Sequence, residues 1–250
     1  MPQDCPEFSH RIPGEAIGSV YGIAPILVAA RAGSVMFPGV DTREIIGGLI
    51  SYACLVPVIA CHEFAHAWVA DKCGDDTPRS QGRVTLNPLA HMELVGTLIL
   101  PLLSIYLGGF MFGWGKPVYV NPGNFRNRRV DDTLVSLAGP AMNLAMAVAL
   151  MVLAKISSIA GLEVLTSACI QVTTISLLLG FFNLLPIPPL DGSHVVKNLI
   201  HMREETYFGM CQYGFLLVII AVQIPFVSWM IQFATVKSLS MMAAAVNLHV

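Results

Sequence analysis

Three long apolar runs constrain the fold of this chain more than any other feature of its sequence. They cover Ile45–Ala70, Thr133–Ile156 and Val164–Leu185, and each has about the 20 residues that a helix needs to cross the hydrocarbon core of a bilayer. The 250 residues are 55% hydrophobic and only 12% charged, whereas soluble domains carry about 25% charged residues. The chain is therefore predicted to be an all-α, polytopic membrane protein that lies mostly in the lipid bilayer.

Two further apolar segments are less regular. Ile17–Met36 contains glycines, Pro25 and Arg31, and Tyr207–Gln232 is interrupted at Pro225. If each of these segments forms one span or a bent pair of helices, the chain has about four to six transmembrane helices in one membrane domain. That domain covers residues 1–250. It consists of an N-terminal segment with the candidate first span (1–44), a core (about 45–197) and a C-terminal region with one or more spans (207–250).

The charge balance and the cysteines each argue against a class of protein. The formal net charge is −2, without the basic excess that binds nucleic-acid phosphates, so no nucleic-acid partner is expected. The six cysteines show no C-x-x-C spacing, and at least two lie in apolar runs. They are interpreted as small buried hydrophobic residues rather than as a disulfide framework.

A metal-binding pattern lies in the last third of the first strong span. His62 and His66 are four residues apart, so on a helix they project from one face and can bind one metal ion, while Glu63 can reach a water bound to that ion. This is the H-E-x-x-H pattern of zinc hydrolases. The alternative is a helix face whose histidines hydrogen-bond to backbone or water. Ionisable groups inside a membrane span cost roughly 2.5–3.5 kcal/mol and usually serve function, which favours metal binding.

A catalytic zinc site needs one more protein ligand. The candidates are acidic or histidine residues in or near the polar loops: Asp71, Asp75, Asp76, His91, Glu93, Asp131, Asp132, Asp191 and His194. Asp191 differs from the others because it directly follows an apolar span, in a proline-rich turn that ends in a glycine. A rigid, partly buried carboxylate is what a ligand position requires.

The membrane topology tests whether Asp191 can reach the two histidines. If Leu94–Phe112 crossed the bilayer fully, Asp191 would lie on the opposite side from the histidines, a membrane thickness away. If this segment enters and returns at Pro101, the basic loop 113–132 stays on the inner side, as the positive-inside rule requires, and Asp191 arrives on the histidine side. Leu94–Phe112 is therefore predicted to be re-entrant, and the metal site to face the cytoplasm.

Two short pieces, 84–86 and 117–120, are β-prone. They could pair with an extended substrate by strand addition, or they could form a small hairpin that covers the loop. We expect both to be associated with the membrane.

Five motifs resemble the site-2 protease family of intramembrane zinc metalloproteases, peptidase family M50. They are H-E-F-A-H at 62–66, G-R-V-T-L-N-P-L-A-H at 82–91, G-W-G-K-P-V at 113–118, A-G-P-A-M-N at 138–143 and N-L-L-P-I-P-P-L-D-G at 183–192. The similarity covers roughly Ile45 to Lys197. The chain resembles a minimal member, without the PDZ or CBS domains of other relatives.

The resemblance implies a role for each matched residue. His62, His66 and Asp191 would bind one zinc ion per chain, Glu63 would be the general base, and Asn183 matches an asparagine thought to assist near the active site. The implied substrate is a transmembrane protein or membrane-embedded peptide. The implied location is a prokaryotic inner membrane, which the chain crosses several times.

Two roles are left open by the residues themselves. Asn183 is a candidate donor to the developing oxyanion, or its amide holds the backbone near Pro186. Asn143 is expected to bridge helices, and His91 to fix the loop 82–91.

The alternative functions are a zinc or divalent-metal transporter and a catalytically silent metal-binding protein. A transporter needs ligands on several spans, and the other spans here carry none. Glu63 favours an active protease over a silent relative.

Overall fold

The computed structural model describes residues 42–106 and 115–248, and this part of the chain is built from helices and their connections. The long helices are α1 (Thr42–Cys73), α5 (Arg128–Ile159), α6 (Glu163–Asn183) and α10 (Pro225–Ala245). The shorter ones are α2 (Thr77–Ser80), α3 (Pro88–His91), α4 (Leu100–Tyr106), α7 (Asp191–Leu199), α8 (Glu204–Cys211) and α9 (Gly214–Gln223). A π-helical segment, Leu94–Ile99, leads into α4, and Pro122–Asn124 forms a 3₁₀ turn.

Helix α5 lies at the centre of the fold and packs against α1, α6 and α7. A buried cluster on its C-terminal half joins α5 to α6 and α10 through Ala147, Met151, Leu177, Leu239 and Ala243. Small side chains on α5 let neighbouring helices approach closely, which is how helices associate when lipid offers an equally apolar environment.

Three helices, α1, α5 and α6, are long and apolar enough to cross a membrane. The pair α8 and α9 passes the same test together but is bent by 65°, so it is either a broken span or a re-entrant loop. The all-α membrane class is therefore confirmed. The candidate first span, Ile17–Met36, lies outside the described residues, so the total of four to six spans stays a prediction.

Helix α1 ends as its sequence predicts. Gly74 follows the helix with φ +108, a conformation that favours glycine, and Asp75 N–H donates to the Ala70 carbonyl at 3.0 Å. The next turns are tied to a distant loop through the buried Asp75 carboxylate, which accepts bonds from Thr77, from the backbone of Asn121 and from the side chain of Asn124.

The segment after His91 begins and ends at the same place. Lys116 N–H donates to the His91 carbonyl at 2.8 Å, so the chain returns to its point of departure. The helix that the structure describes in this segment, Leu94–Tyr106, is shorter than the roughly 20 residues of a full crossing. Both observations support the re-entrant prediction. The expected reversal at Pro101 is wrong, because the helix continues to Tyr106 and changes from π to α at Leu100, where the missing proline N–H is accommodated.

The two β-prone pieces are not strands in the described structure. Residues 84 and 85 lie in a bend and residue 86 is irregular, and Thr85 N–H donates to the Arg83 carbonyl at 2.9 Å. This local turn bond takes the place of the hydrogen bonds that a β-strand would make to a neighbouring strand. Residues 115–120 have neither helical nor strand structure.

Candidate metal centre

Three side chains from two distant parts of the chain converge beside α5. His62 and His66 come from α1, and Asp191 is the first residue of α7. The two histidine Nε2 atoms are 3.0 Å apart, and the Asp191 carboxylate oxygens lie 3.2 Å from His62 Nε2 and 3.4 Å from His66 Nε2. Among the residues that the structure describes, this is the one group of three or more potential ligands close enough to share an ion.

These separations fit zinc. Zinc bonds to histidine nitrogen and carboxylate oxygen are about 2.0–2.2 Å long, so two ligands of a tetrahedral site lie about 3.3–3.6 Å apart. The three donor pairs here are 3.0, 3.2 and 3.4 Å apart. Both histidines are buried, and Asp191 Oδ2 is buried without a hydrogen-bond donor. The donor set is one that a zinc ion would satisfy.

A backbone carbonyl of α5 sets the orientation of His66. His66 Nδ1 lies 2.7 Å from the Val135 carbonyl oxygen. A carbonyl can only accept, so Nδ1 carries the proton and Nε2 presents its lone pair to the site. This is the tautomer that binds a metal through Nε2.

The side chain of Asn143 performs the same task for His62. Its amide nitrogen Nδ2 lies 3.1 Å from His62 Nδ1, and its carboxamide oxygen is buried without a hydrogen-bond partner. Exchanging the two amide atoms lets the oxygen accept from His62 Nδ1–H and leaves Nε2 free for the metal. Amide orientation is assigned from hydrogen bonding, and this assignment gives the Asn143 oxygen a donor and His62 Nδ1–H an acceptor.

Gly139 allows α5 to lie directly against the histidines. A Cβ added there would overlap His66 Nε2 and come within 2.6 Å of His62 Nε2. Any side chain at this position would therefore occupy the space of the metal ligands. The glycine of the A-G-P-A-M-N motif is required by this close approach.

A tight turn brings Asp191 to the site. Gly192 lies so close to the turn that an added Cβ would overlap the Leu184 carbonyl. Leu190 N–H donates to the Ile187 carbonyl at 2.9 Å, and Ser193 Oγ–H donates to the Leu190 carbonyl at 2.6 Å. Asp191 was expected inside the turn, but it is the first residue of α7.

The buried carboxylate of Asp132 holds α7 against α5. Three side chains of α7 reach it: Lys197 Nζ at 2.9 Å, Asn198 Nδ2 at 2.8 Å and His194 Nδ1 at 3.3 Å. Since Asp191 is on the same helix, these contacts fix its direction as well. Asp132 and His194 were candidate ligands, and the structure instead gives them this connecting role.

The other candidate ligands lie apart from the three converging donors. Asp71 pairs with exposed Arg79, and Asp75 is bound by its loop. His91 is buried and its Nε2 lies 2.8 Å from the Thr85 carbonyl, which fits the expected loop-fixing role.

Glu63 and Asn183 differ in their surroundings. Glu63 is half-buried, one residue from His62, and a Cβ at Gly115 would lie 3.7 Å from its Cγ, so the returning segment passes its side chain. Asn183 Nδ2–H donates to the Leu179 carbonyl of its own helix at 3.1 Å. That bond uses one of its two amide protons.

Comparisons with known proteins identify the family. The model described as "Peptidase family M50" matches residues 160–223, which include Asp191. The chain is 35% identical to "Putative zinc metalloprotease YwhC" of Bacillus subtilis (strain 168), across 71% of this chain and 81% of that protein. It is 34% identical to "Putative zinc metalloprotease Rip2" of Mycolicibacterium smegmatis (strain ATCC 700084 / mc(2)155), across 85% of this chain and 86% of that protein.

This chain belongs to peptidase family M50. It is therefore a zinc metalloprotease and, with its three membrane-length apolar helices, an integral membrane protein. No solved structure matches it significantly. The transporter alternative loses its support.

Sequence reasoning missed how α5 supports the site. Asn143 was expected only to bridge helices, and Gly139 was noted only as part of a family motif. The available signal was an asparagine within an otherwise apolar span, because a polar group in such a position needs a partner.

Proposed function

We propose that this M50 member is an intramembrane endopeptidase, which hydrolyses peptide bonds in transmembrane or membrane-embedded substrates. The observation that carries the proposal is the depth of the converging donors. His66 and His62 precede the end of α1 at Cys73 by seven and eleven residues, about 10 and 16 Å along a helix. A site at that depth in a membrane-length helix is suited to a substrate that lies in the bilayer.

His62, His66 and Asp191 would hold the zinc ion. Bound zinc supplies Lewis acidity and makes a water molecule acidic enough to attack a peptide carbonyl near neutral pH. Glu63 is the general base: its carboxylate accepts the proton of the attacking water and delivers it to the leaving amine. The hydrogen bonds from His66 to Val135 and from His62 to Asn143 keep both Nε2 lone pairs directed at the ion.

The second amide proton of Asn183 is available to the developing oxyanion, and we assign it that role. The expected result for Asn183→Ala is a loss of about 10²–10³-fold in kcat with zinc content unchanged, as for other oxyanion donors. An unchanged kcat would return Asn183 to a purely structural role at the end of α6.

A substrate that has unwound locally for cleavage needs hydrogen-bond partners for its backbone, and we assign this role to the segment 115–120. The backbone of Val118, Tyr119 and Val120 makes no backbone–backbone hydrogen bond to the described residues. The segment starts at Gly115, beside Glu63. Strand addition along it would carry a substrate toward the general base.

This substrate contact is tested at Tyr119, whose side chain is exposed. Tyr119→Pro removes a backbone donor, and Tyr119→Ala removes only the side chain. Cleavage should weaken, mainly through KM, in the proline variant alone. Equal activity in both variants would exclude backbone pairing at this residue.

The metal site opens toward the cytoplasm in this proposal. Most lysine and arginine side chains of the described chain lie on the face where α1 ends and α5 begins: Lys72, Arg79, Arg83, Lys116, Arg126, Arg128, Arg129, Lys197 and Arg203. The positive-inside rule makes that face cytoplasmic.

The central experiment is cleavage of a model single-span substrate in liposomes, with zinc measured in each variant. Glu63→Gln should abolish cleavage and keep zinc, whereas Asp191→Ala should lose both. Glu205→Gln, which changes an exposed carboxylate, and Asp76→Ala, which changes another exposed acid, are the matched controls and should cleave normally. Full activity in Glu63→Gln would refute the general-base assignment. A wild-type protein that binds zinc but cleaves nothing would favour a silent relative.

A further inference from the structure

A charged cavity lies at the far end of α7 from the metal centre. Its volume is about 280 Å³, slightly below the roughly 300–1,000 Å³ of pockets that enclose whole small molecules, which suits a small polar group. Its lining is Pro122, Arg128, Arg129, Asp132, Lys197, Asn198, His201, Met202, Arg203 and Glu204.

Positive charge exceeds negative charge in this lining. Arginine and lysine supply four permanent cations, and the carboxylates are those of Asp132 and Glu204. Both carboxylates are already engaged, since Lys197 Nζ lies 2.9 Å from Asp132 and 3.3 Å from Glu204, and Arg128 lies 3.5 Å from Glu204. The cavity therefore retains an excess of cationic groups that an anion would balance.

Two arginines remain available to such an anion. Arg129 is exposed and its guanidinium forms no ion pair with the described residues. Arg203 meets only Glu205, at 3.4 Å, and both of these side chains are largely exposed. A surface pair of this kind contributes little, so Arg203 can exchange it for a better partner. Guanidinium groups match the geometry of phosphate oxygens with paired N–H donors.

The cavity lies where the bilayer presents its headgroups. Arg128 and Arg129 begin α5, a membrane-length helix, and they do so on the basic face of the protein. Exposed apolar side chains lie within two residues of the lining residues in the chain, namely Val130 and Leu134 on α5 and Leu199 and Ile200 before His201. Cationic groups next to exposed apolar surface match a ligand with a phosphate and acyl chains.

We infer that this cavity binds the phosphodiester headgroup of an anionic phospholipid from the cytoplasmic leaflet. Basic pockets between membrane helices on that side bind such headgroups through the same chemistry. One phosphodiester carries a single negative charge, which fits the modest cationic excess. The inference uses the membrane orientation proposed above, and it does not depend on peptidase activity.

Lipid retention by the purified full chain tests the inference. The protein, in a neutral detergent, is titrated with phosphatidylglycerol or phosphatidylcholine, and bound lipid is counted by native mass spectrometry. The double variant Arg129→Gln/Arg203→Gln removes the two available cations and leaves the buried Lys197 pairs intact. Arg126→Gln removes an exposed cation just before α5 that does not line the cavity, and it is the matched control.

The wild type and Arg126→Gln should retain phosphatidylglycerol in preference to phosphatidylcholine. Retention should weaken roughly 25-fold in the double variant if each arginine contributes about fivefold. Equal retention by all three proteins would overturn the site. If millimolar inorganic phosphate displaced bound phosphatidylglycerol as effectively as added phosphatidylglycerol does, the ligand would be free phosphate. That result would overturn the proposal that the ligand is a lipid. Zinc content, measured on the same samples, should not change.

Discussion

The two halves of the metal centre are placed by different physical means. The histidine half lies within one continuous helix, so the separation of His62 and His66 follows from helical geometry alone. The aspartate half arrives from a turn more than a hundred residues later in the chain, on the nine-residue helix α7. A helix this short is marginal by itself, so its position depends on contacts with α5.

Helix α5 supports both halves, but through different contacts. Behind the histidines it offers single acceptors and the surface of Gly139, which orient rings that are already in place. Toward α7 it offers a buried carboxylate with three partners, which positions a whole helix. Changes on the histidine side should therefore act on the ligands directly, while changes on the aspartate side should act through the docking of α7.

The largest effect is expected from Gly139→Ala. The new methyl group would overlap the metal-facing atoms of both histidines, so zinc binding should be lost. Activity should fall at least ~100-fold, as expected when reacting groups are displaced by about 1 Å. Gly47→Ala is the control, since nothing lies within 4 Å of an added Cβ there. Normal zinc content in Gly139→Ala would contradict the close approach of α5.

Substitutions of Asn143 test whether its amide oxygen accepts the hydrogen bond from His62 Nδ1–H. Asn143→Leu should reduce zinc affinity about 10–100-fold, the usual cost of losing a partner of a metal-binding histidine. Asn143→Asp keeps an oxygen that accepts from His62 Nδ1–H and should retain most of the affinity. If the aspartate variant binds zinc as poorly as the leucine variant, the amide oxygen is not the acceptor. Zinc titration with a competing chelator provides the measurement.

Asp132→Asn tests the aspartate half. It weakens the docking of α7, so we expect zinc affinity and kcat to fall together by about tenfold, with the helix content unchanged. Stability should also fall, because Lys197 is buried and keeps only Glu204 as an acidic partner. A lower melting temperature with unchanged zinc affinity would mean that Asp132 stabilises the fold without positioning Asp191.

The smallest effect is expected at Asp75, whose carboxylate belongs to neither half of the metal centre. Burial alone would raise the pKa of Asp75, but hydrogen bonds from Thr77, Asn121 and Asn124 outweigh burial and lower it below its ordinary value. A lowered folded-state pKa means that this stabilisation is complete above the unfolded-state pKa of about 3.9 and is lost as the pH falls through the folded-state value.

Asp75→Asn should therefore lower the melting temperature at pH 7 and flatten its decline at acid pH. Melting of both proteins in detergent from pH 7 to pH 3 provides the test. Zinc content at pH 7 should be unchanged in the variant, because Asp75 lies outside the metal centre. If the melting temperature depended on pH in the same way in both proteins, the ionisation of Asp75 would not contribute to stability.

Local patterns determined much of this protein. Apolar runs of membrane length predicted α1, α5 and α6, since lipid requires helices with internally satisfied backbones. The four-residue spacing of His62 and His66 predicted one face of one helix. The combination of basic loops with the required position of Asp191 predicted that the segment after His91 returns to its own side.

Only the tertiary structure decided what lies behind and beside the ligands. Which carbonyl orients His66, which amide orients His62 and which carboxylate holds α7 depend on how α5 packs between α1 and α7. The sequence marked Asp132 as a candidate ligand and placed Gly139 in a family motif, but it did not show the role of either residue, because those roles come from distances across helices. Helical periodicity fixes neighbours within one element, while contacts between elements arise only when the whole chain has packed.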